Sequence, residues 1–146
     1  MMEPAKIHPV PTAWPASMVE ADNLHGRDPV TEAIRLFNDR YFFEAHEVLE
    51  ELWKQEHGES RLFLQGLIQL CAAFHHVQNG NLVGAITLLE RGAEKMRRYR
   101  PGYLGIDTAS LLPHVDAVRA SLVRQQQGDS PAGDIEFPRI VRTIPP

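Results

Sequence analysis

The chain is poor in the residues that fix a protein's chemistry at a glance. It has one cysteine, Cys71, among 146 residues, so neither an intrachain disulfide nor a cysteine metal cluster can form. Such a chain suits a reducing compartment, and a cytoplasmic protein is expected. Nor do cations dominate: 15 Lys and Arg stand against 19 Asp and Glu, for a formal charge of -4. That balance lacks the basic footprint that phosphate backbones require, so nucleic acid is not expected as a partner. Long apolar runs are also missing. From Gly66 to Phe74 the chain is mostly apolar, but Gln69 interrupts it and His75 and His76 follow, well short of the ~20 residues of a bilayer span. No basic region followed by an apolar core opens the sequence, so neither a signal peptide nor a membrane role is expected.

A second kind of absence is informative. From Leu62 to Leu89 there is no Asp, Glu, Lys or Arg, so a helix over about 60–78 is apolar nearly all round and should be central. Its polar stripe is narrow: Gln65, Gln69 and His76, flanked by Ala72 and Ala73. Ser60 is its expected cap. The preceding stretch, 41–56, projects Phe42, Ala45, Leu49, Leu52 and Trp53 onto one helical arc, with His46 and Glu50 along its edge. Glu44, Glu47, Glu51 and Lys54 fall on the other side as a solvated set. Because buried amides and imidazoles need partners, the two stripes are expected to meet as a polar seam of His46, Glu50, Gln65, Gln69 and His76. Glu47, Trp53 and His75 stand beside it.

The rest of the chain reads as a frame for that pair. Residues 1–27 hold Pro4, Pro9, Pro11 and Pro15 among aperiodic apolar residues such as Trp14, an extended arm. Asp28 and Pro29 form an N-cap with proline at the first helical position, and the first helix should stop near Asn38, Asp39 and Arg40. After Asn79, Gly80 and Asn81 a fourth helix runs to about Tyr99, where Lys95, Arg97, Arg98 and Arg100 complement the helix dipole. Gly84 and Gly92 within it suggest close approach to another backbone. Asp107 caps a segment expected to break or kink at Pro113 before a helix bearing Val115, Val118 and Leu122. The helical domain thus covers 28–127. A tail over 128–146, carrying Ile135, Phe137, Ile140 and Val141, should lie against it.

Residues 37–50, FNDRYFFEAHEVLE, align without gaps to 77–90, VQNGNLVGAITLLE. Ala45, Leu49 and Glu50 meet Ala85, Leu89 and Glu90, while His46 meets Ile86. Each copy is a short turn into an amphipathic helix, faintly tetratricopeptide-like, although two units are fewer than a solenoid needs. The expected fold is all-α: a compact bundle of about five helices built from two antiparallel helical hairpins. With FNDRYFFEAHEVLEELW, FLQGLIQLCAAFHH, GNLVGAITLLERG and YLGID in view, the chain resembles domain-of-unknown-function family 309, small prokaryotic all-helical proteins. The likeness covers about residues 30–112. It implies an all-α fold and supplies no catalytic assignment.

Three chemistries suit His46 and Glu50. As an i, i+4 pair they could point two donors at a divalent metal such as zinc, iron or manganese, with His76 or His75 as third ligand. The imidazole could act as a base oriented by the carboxylate. Or the seam could be a satisfied polar cluster that sets the register of two helices. The leading expectation is an interaction or scaffold module, acting on a protein partner or as a homodimer. A metal-binding protein or metal-dependent enzyme centred on His46 and Glu50 is the alternative.

Overall fold

The computed structural model describes residues 28–129 and 135–143, so the arm expected over 1–27 lies outside the described residues. Five α-helices follow in order: α1 (Pro29–Asn38), α2 (Phe42–Gln55), α3 (Ser60–Gln78), α4 (Leu82–Met96) and α5 (Thr108–Gln126). A 3-10 turn, Arg97–Tyr99, extends α4. Each helix packs on its sequence neighbours, α3 most extensively on α4 and then on α2. Short links make successive helices antiparallel. The all-α bundle expected from periodicity is what forms.

Local chemistry explains the boundaries. Asp28 accepts the Thr31 N–H at 2.8 Å with Pro29 behind it, and Asp107 caps α5 by accepting the Ser110 N–H at 3.1 Å. Asn81 does the same for α4 through the Gly84 N–H. Ser60 is not a cap. It lies inside the first turn of α3, buried, and its hydroxyl meets the Tyr103 hydroxyl at 2.9 Å. Nor does Pro113 break α5. The N–H it lacks would have met the Ala109 carbonyl, and both residues are exposed, so water can take the orphaned oxygen.

The sequence repeat is also a repeat of backbone geometry. In the first turn Asp39, Arg40 and Tyr41 donate to the carbonyls of Arg35, Phe37 and Leu36. In the second, Asn79, Gly80 and Asn81 donate to those of His75, Val77 and His76. Both close the preceding helix through one left-handed residue, Arg40 at φ 68° and Gly80 at φ 77°. Arg40 holds a conformation that favours glycine, and its guanidinium lies 5.1 Å from the Phe137 ring.

Three phenylalanines form the centre of one core. Phe37, Phe42 and Phe74 meet with ring centroids 5.1–5.8 Å apart. Phe137 joins them from the C-terminal segment, 5.2 Å from Phe42. That segment, 135–143, lies against the helices. The Asn38 side chain both donates to the Ile140 carbonyl and accepts its N–H, at 3.0 and 2.7 Å. Further along, the Val141 carbonyl and Thr143 N–H pair with Asp107 and Gly105.

Helices α3 and α4 approach backbone to backbone. A Cβ built on Gly92 would lie 2.7 Å from the Gly66 carbonyl oxygen, and one on Gly66 3.0 Å from that of Gly92. Gly92 therefore does what its sequence position suggested, while Gly84 does not: its α-carbon faces the Asn81 side chain that caps its own helix. Gly92→Ala should destabilise by about 2 kcal/mol through overpacking, despite alanine's better helix propensity. Gly80→Ala should lose about 1 kcal/mol from the left-handed backbone alone, since nothing lies within 4 Å of the new methyl. Urea unfolding of both variants checks this: equal midpoints for Gly92→Ala and the parent would refute the close-contact reading.

Candidate functional site: the α2–α3 seam

On α2 the buried face is Phe42, Ala45, Leu49 and Leu52. Glu44, Glu47 and Glu51 are exposed, and between the two sets His46, Glu50 and Trp53 form a half-buried edge. On α3 the half-buried residues Arg61, Gln65, Ile68, Gln69, Ala72, His75 and His76 fall on one arc. Two contacts place the α2 edge beside that arc. The Arg61 guanidinium lies 3.8 Å from the centroid of the Trp53 ring, and Phe43 bridges His46 and His75, at 5.9 and 5.3 Å. On the far side His76 Nδ1 meets the Asn81 amide at 3.3 Å, where α4 begins. The arc thus lies between α2 and α4.

Within this frame the structure brings His46 and Glu50 together, with Nε2 and Oε2 3.9 Å apart. That spacing permits charge attraction but is too long for a hydrogen bond. It does not bring His76 to them: through Phe43 it is His75 that stands near His46, while its own Nε2 meets Asn79 at 3.1 Å. Among the described residues no group of three or more His, Cys, Asp or Glu is placed to hold a metal ion. The ligand set with His76 is therefore not assembled, because its ring turns toward the α3–α4 turn.

The expected hydrogen bonds across the seam are also not made. His46 Nδ1, Trp53 Nε1 and Gln69 Oε1 are all buried and without a partner among the described residues. The stripe is polar, but it does not satisfy itself. Gln65 lines the same arc, half-buried. Cys71 is fully buried, and burial pushes its thiol well above the ordinary range, consistent with a core residue.

Sequence reasoning missed two residues here, Arg61 and Glu56, and gave Phe43 no role. Phe43 is 46% exposed and joins the two imidazoles. Arg61 donates to the carbonyls of Trp53 and Glu56, at 2.8 and 2.7 Å, closing the end of α2 while it covers the indole. No periodic signal could reveal this, since the contact crosses an interhelical link. Glu56, in that link, is completely buried. Its Oε1 accepts the N–H groups of His57 and Gly58 at 3.0 and 3.3 Å, and its Oε2 has no partner among the described residues. Burial pushes the carboxyl up, against the pull of those two N–H groups and of His57 and Arg61.

Comparison with known proteins adds a family match over part of the chain. Residues 30–88, which include all of the seam, match the model of the family described as Domain of unknown function (DUF309). The resemblance drawn from the sequence is borne out over that span. An uncharacterized protein, YpuF, of Bacillus subtilis (strain 168) is 33% identical over 82 residues, a match covering 54% of this chain and 47% of that protein. The chain spans about half the length of the curated relative it matches.

Glu56 gives the site a measurable signature. With its carboxyl raised by burial, the folded protein holds this proton to higher pH than the unfolded chain does. The stability this group contributes is therefore lost as pH rises from the ordinary glutamate value through the raised one. Glu56→Gln removes that loss. Denaturant midpoints followed upward from about pH 4 should show the parent falling relative to the variant and then levelling. Curves parallel over the whole range would contradict the assignment.

Proposed function

We propose that this chain, with residues 30–88 in a family whose description assigns no activity, is a cytoplasmic binding module for a protein partner. Its contact face is the arc of α3 between α2 and α4, together with the end of the bundle where both hairpins turn. The observation that carries this reading is the exposure of large apolar side chains at that end: Tyr41 is 55%, Phe43 46% and Val83 64% exposed.

Phe43 and Val83 occupy equivalent positions of the repeat, each the second residue of its helix. Antiparallel hairpins bring the starts of α2 and α4 to one end, so the two residues share a side of the molecule. Neither is needed by the core, which Phe42 supplies in the first copy. Exposed apolar groups gathered at one end favour an interface over isolated surface chance. The half-buried edge of α2 continues from Phe43 through His46 toward Trp53, so the apolar end and this polar edge adjoin. The formal charge of -4 supports a partner other than nucleic acid. No described helix is long and apolar enough to cross a membrane.

A double variant, Phe43→Asp with Val83→Asp, tests the reading. Quantitative affinity capture with parent and variant should yield at least one protein depleted by the substitutions, and that protein, once purified, should bind the parent directly and the variant about tenfold or more weakly. A second copy of this chain, detected by sedimentation and dissociated by the same substitutions, would be such a partner. Equal binding by parent and variant, with both folded by circular dichroism, would overturn the proposal.

A further inference from the structure

The C-terminal segment sits at the corner of α1 and α2 in the way a bound peptide sits on its receptor. Residues 135–143 read IEFPRIVRT, and none of them is helical. An extended chain must find partners for its main-chain groups outside itself. The body supplies them. The Asn38 side chain donates to the Ile140 carbonyl and accepts its N–H, at 3.0 and 2.7 Å. The Asp107 N–H reaches the Val141 carbonyl and the Gly105 carbonyl takes the Thr143 N–H, both at 2.9 Å. The side chains divide between body and solvent. Phe137 meets the Phe42 and Phe74 rings at 5.2 and 5.7 Å, and Pro138 and Ile140 are buried, while Glu136, Arg139 and Val141 are exposed. The corner therefore reads a Phe-Pro-x-Ile pattern.

The receiving residues suit this contact better than they suit the turn that carries them. The two hairpin turns close through equivalent main-chain bonds, but where the second has Gln78, Gly80 and Leu82 the first has Asn38, Arg40 and Phe42. Arg40 decides the matter. At φ 68° it holds a backbone that Gly80 adopts without strain, and what the arginine adds is a guanidinium 5.1 Å from the Phe137 ring. The body is defined without the segment. Phe37, Phe42 and Phe74 meet one another, and the caps at Asp28, Asn81 and Asp107 belong to the helices they start.

Magnitudes choose the occupant. A tethered segment is present at an effective concentration of about millimolar, so a second copy, with the same contacts at its lower free concentration, does not displace it. A displacing segment must make contacts that 135–143 lacks. Tyr41, next in the chain to Arg40 and 55% exposed, provides one beside the site.

We propose that the α1–α2 corner is a docking site for an extended segment of another protein that carries Phe and Ile three positions apart, and that the chain's own residues 135–143 fill it until such a segment displaces them. Taking that protein to be the partner at the hairpin end rests on the binding reading above; the docking site itself does not.

The probe is the segment itself, a fluorescein-labelled peptide IEFPRIVRT with an amidated end, followed by anisotropy. In the full chain, Phe137→Ala with Ile140→Ala loosens the resident segment. That variant should keep its helical circular dichroism and a cooperative melt, and should bind the peptide saturably and about tenfold or more tightly than the parent does. A peptide with alanine in place of its Phe and of the Ile three positions later should bind about tenfold more weakly. Adding Asn38→Ala to the variant should weaken the peptide about threefold or more.

Loss of the cooperative melt in the double variant would make the segment part of the core and overturn the proposal. So would absence of saturable binding at millimolar peptide, equal affinity for the two peptides, or equal affinity of parent and variant. A parent dimer that the double substitution dissociates would make a second copy the occupant and overturn it as well. None of these measurements involves Phe43 or Val83, so the docking site and the contact face stand or fall separately.

Discussion

The approach of α3 to α4 at Gly66 and Gly92 sets the terms for the rest of the molecule. Two carbonyl oxygens, each within 3.0 Å of where a methyl would stand on the opposite glycine, bring the helices as close as backbones allow. Leu70 and Met96 fill the space beside them. By committing one flank of α3 to α4 so tightly, the contact leaves its polar arc free of that interface. The other flank packs on α2, and between them the arc stays half open. The half-buried arc is thus a by-product of where the central helix spends its apolar surface.

Much of this was legible from the sequence because the signals were local. A proline behind an aspartate marks the start of α1, and an aspartate marks α5. The absence of charge from Leu62 to Leu89 marks the central helix. The repeat located both hairpin turns, and it extends to the backbone bonds that close them. What escaped depended on distance. Ser60 has the right identity and position for a cap, but a hydroxyl from Tyr103, 43 residues away, takes it instead. His76 lies on the correct stripe, yet the arc is wide enough to send it toward α4 while His75 meets Phe43. A helical projection gives the direction of a side chain from its own axis. It does not tell which neighbour waits there.

The seam also shows why polar pattern and polar satisfaction are different properties. Its residues are of the right type, but His46 Nδ1, Trp53 Nε1 and Gln69 Oε1 have no partner among the described residues, at ~1–3 kcal/mol for each such group. At the position equivalent to His46 the second copy of the repeat carries Ile86, which has no such group to pair.

The two hydrogen bonds between Asn38 and Ile140 join residues 102 positions apart, and Phe137 from the same segment completes the phenylalanine cluster of α1, α2 and α3. During synthesis the end of α1 must therefore wait for residues 135–143. Helix α1 acquires these neighbours only then, so the nascent chain presents Phe37, Phe42 and Phe74 partly uncovered until that segment has emerged. A truncation in this segment would reproduce that unfinished state as a permanent one.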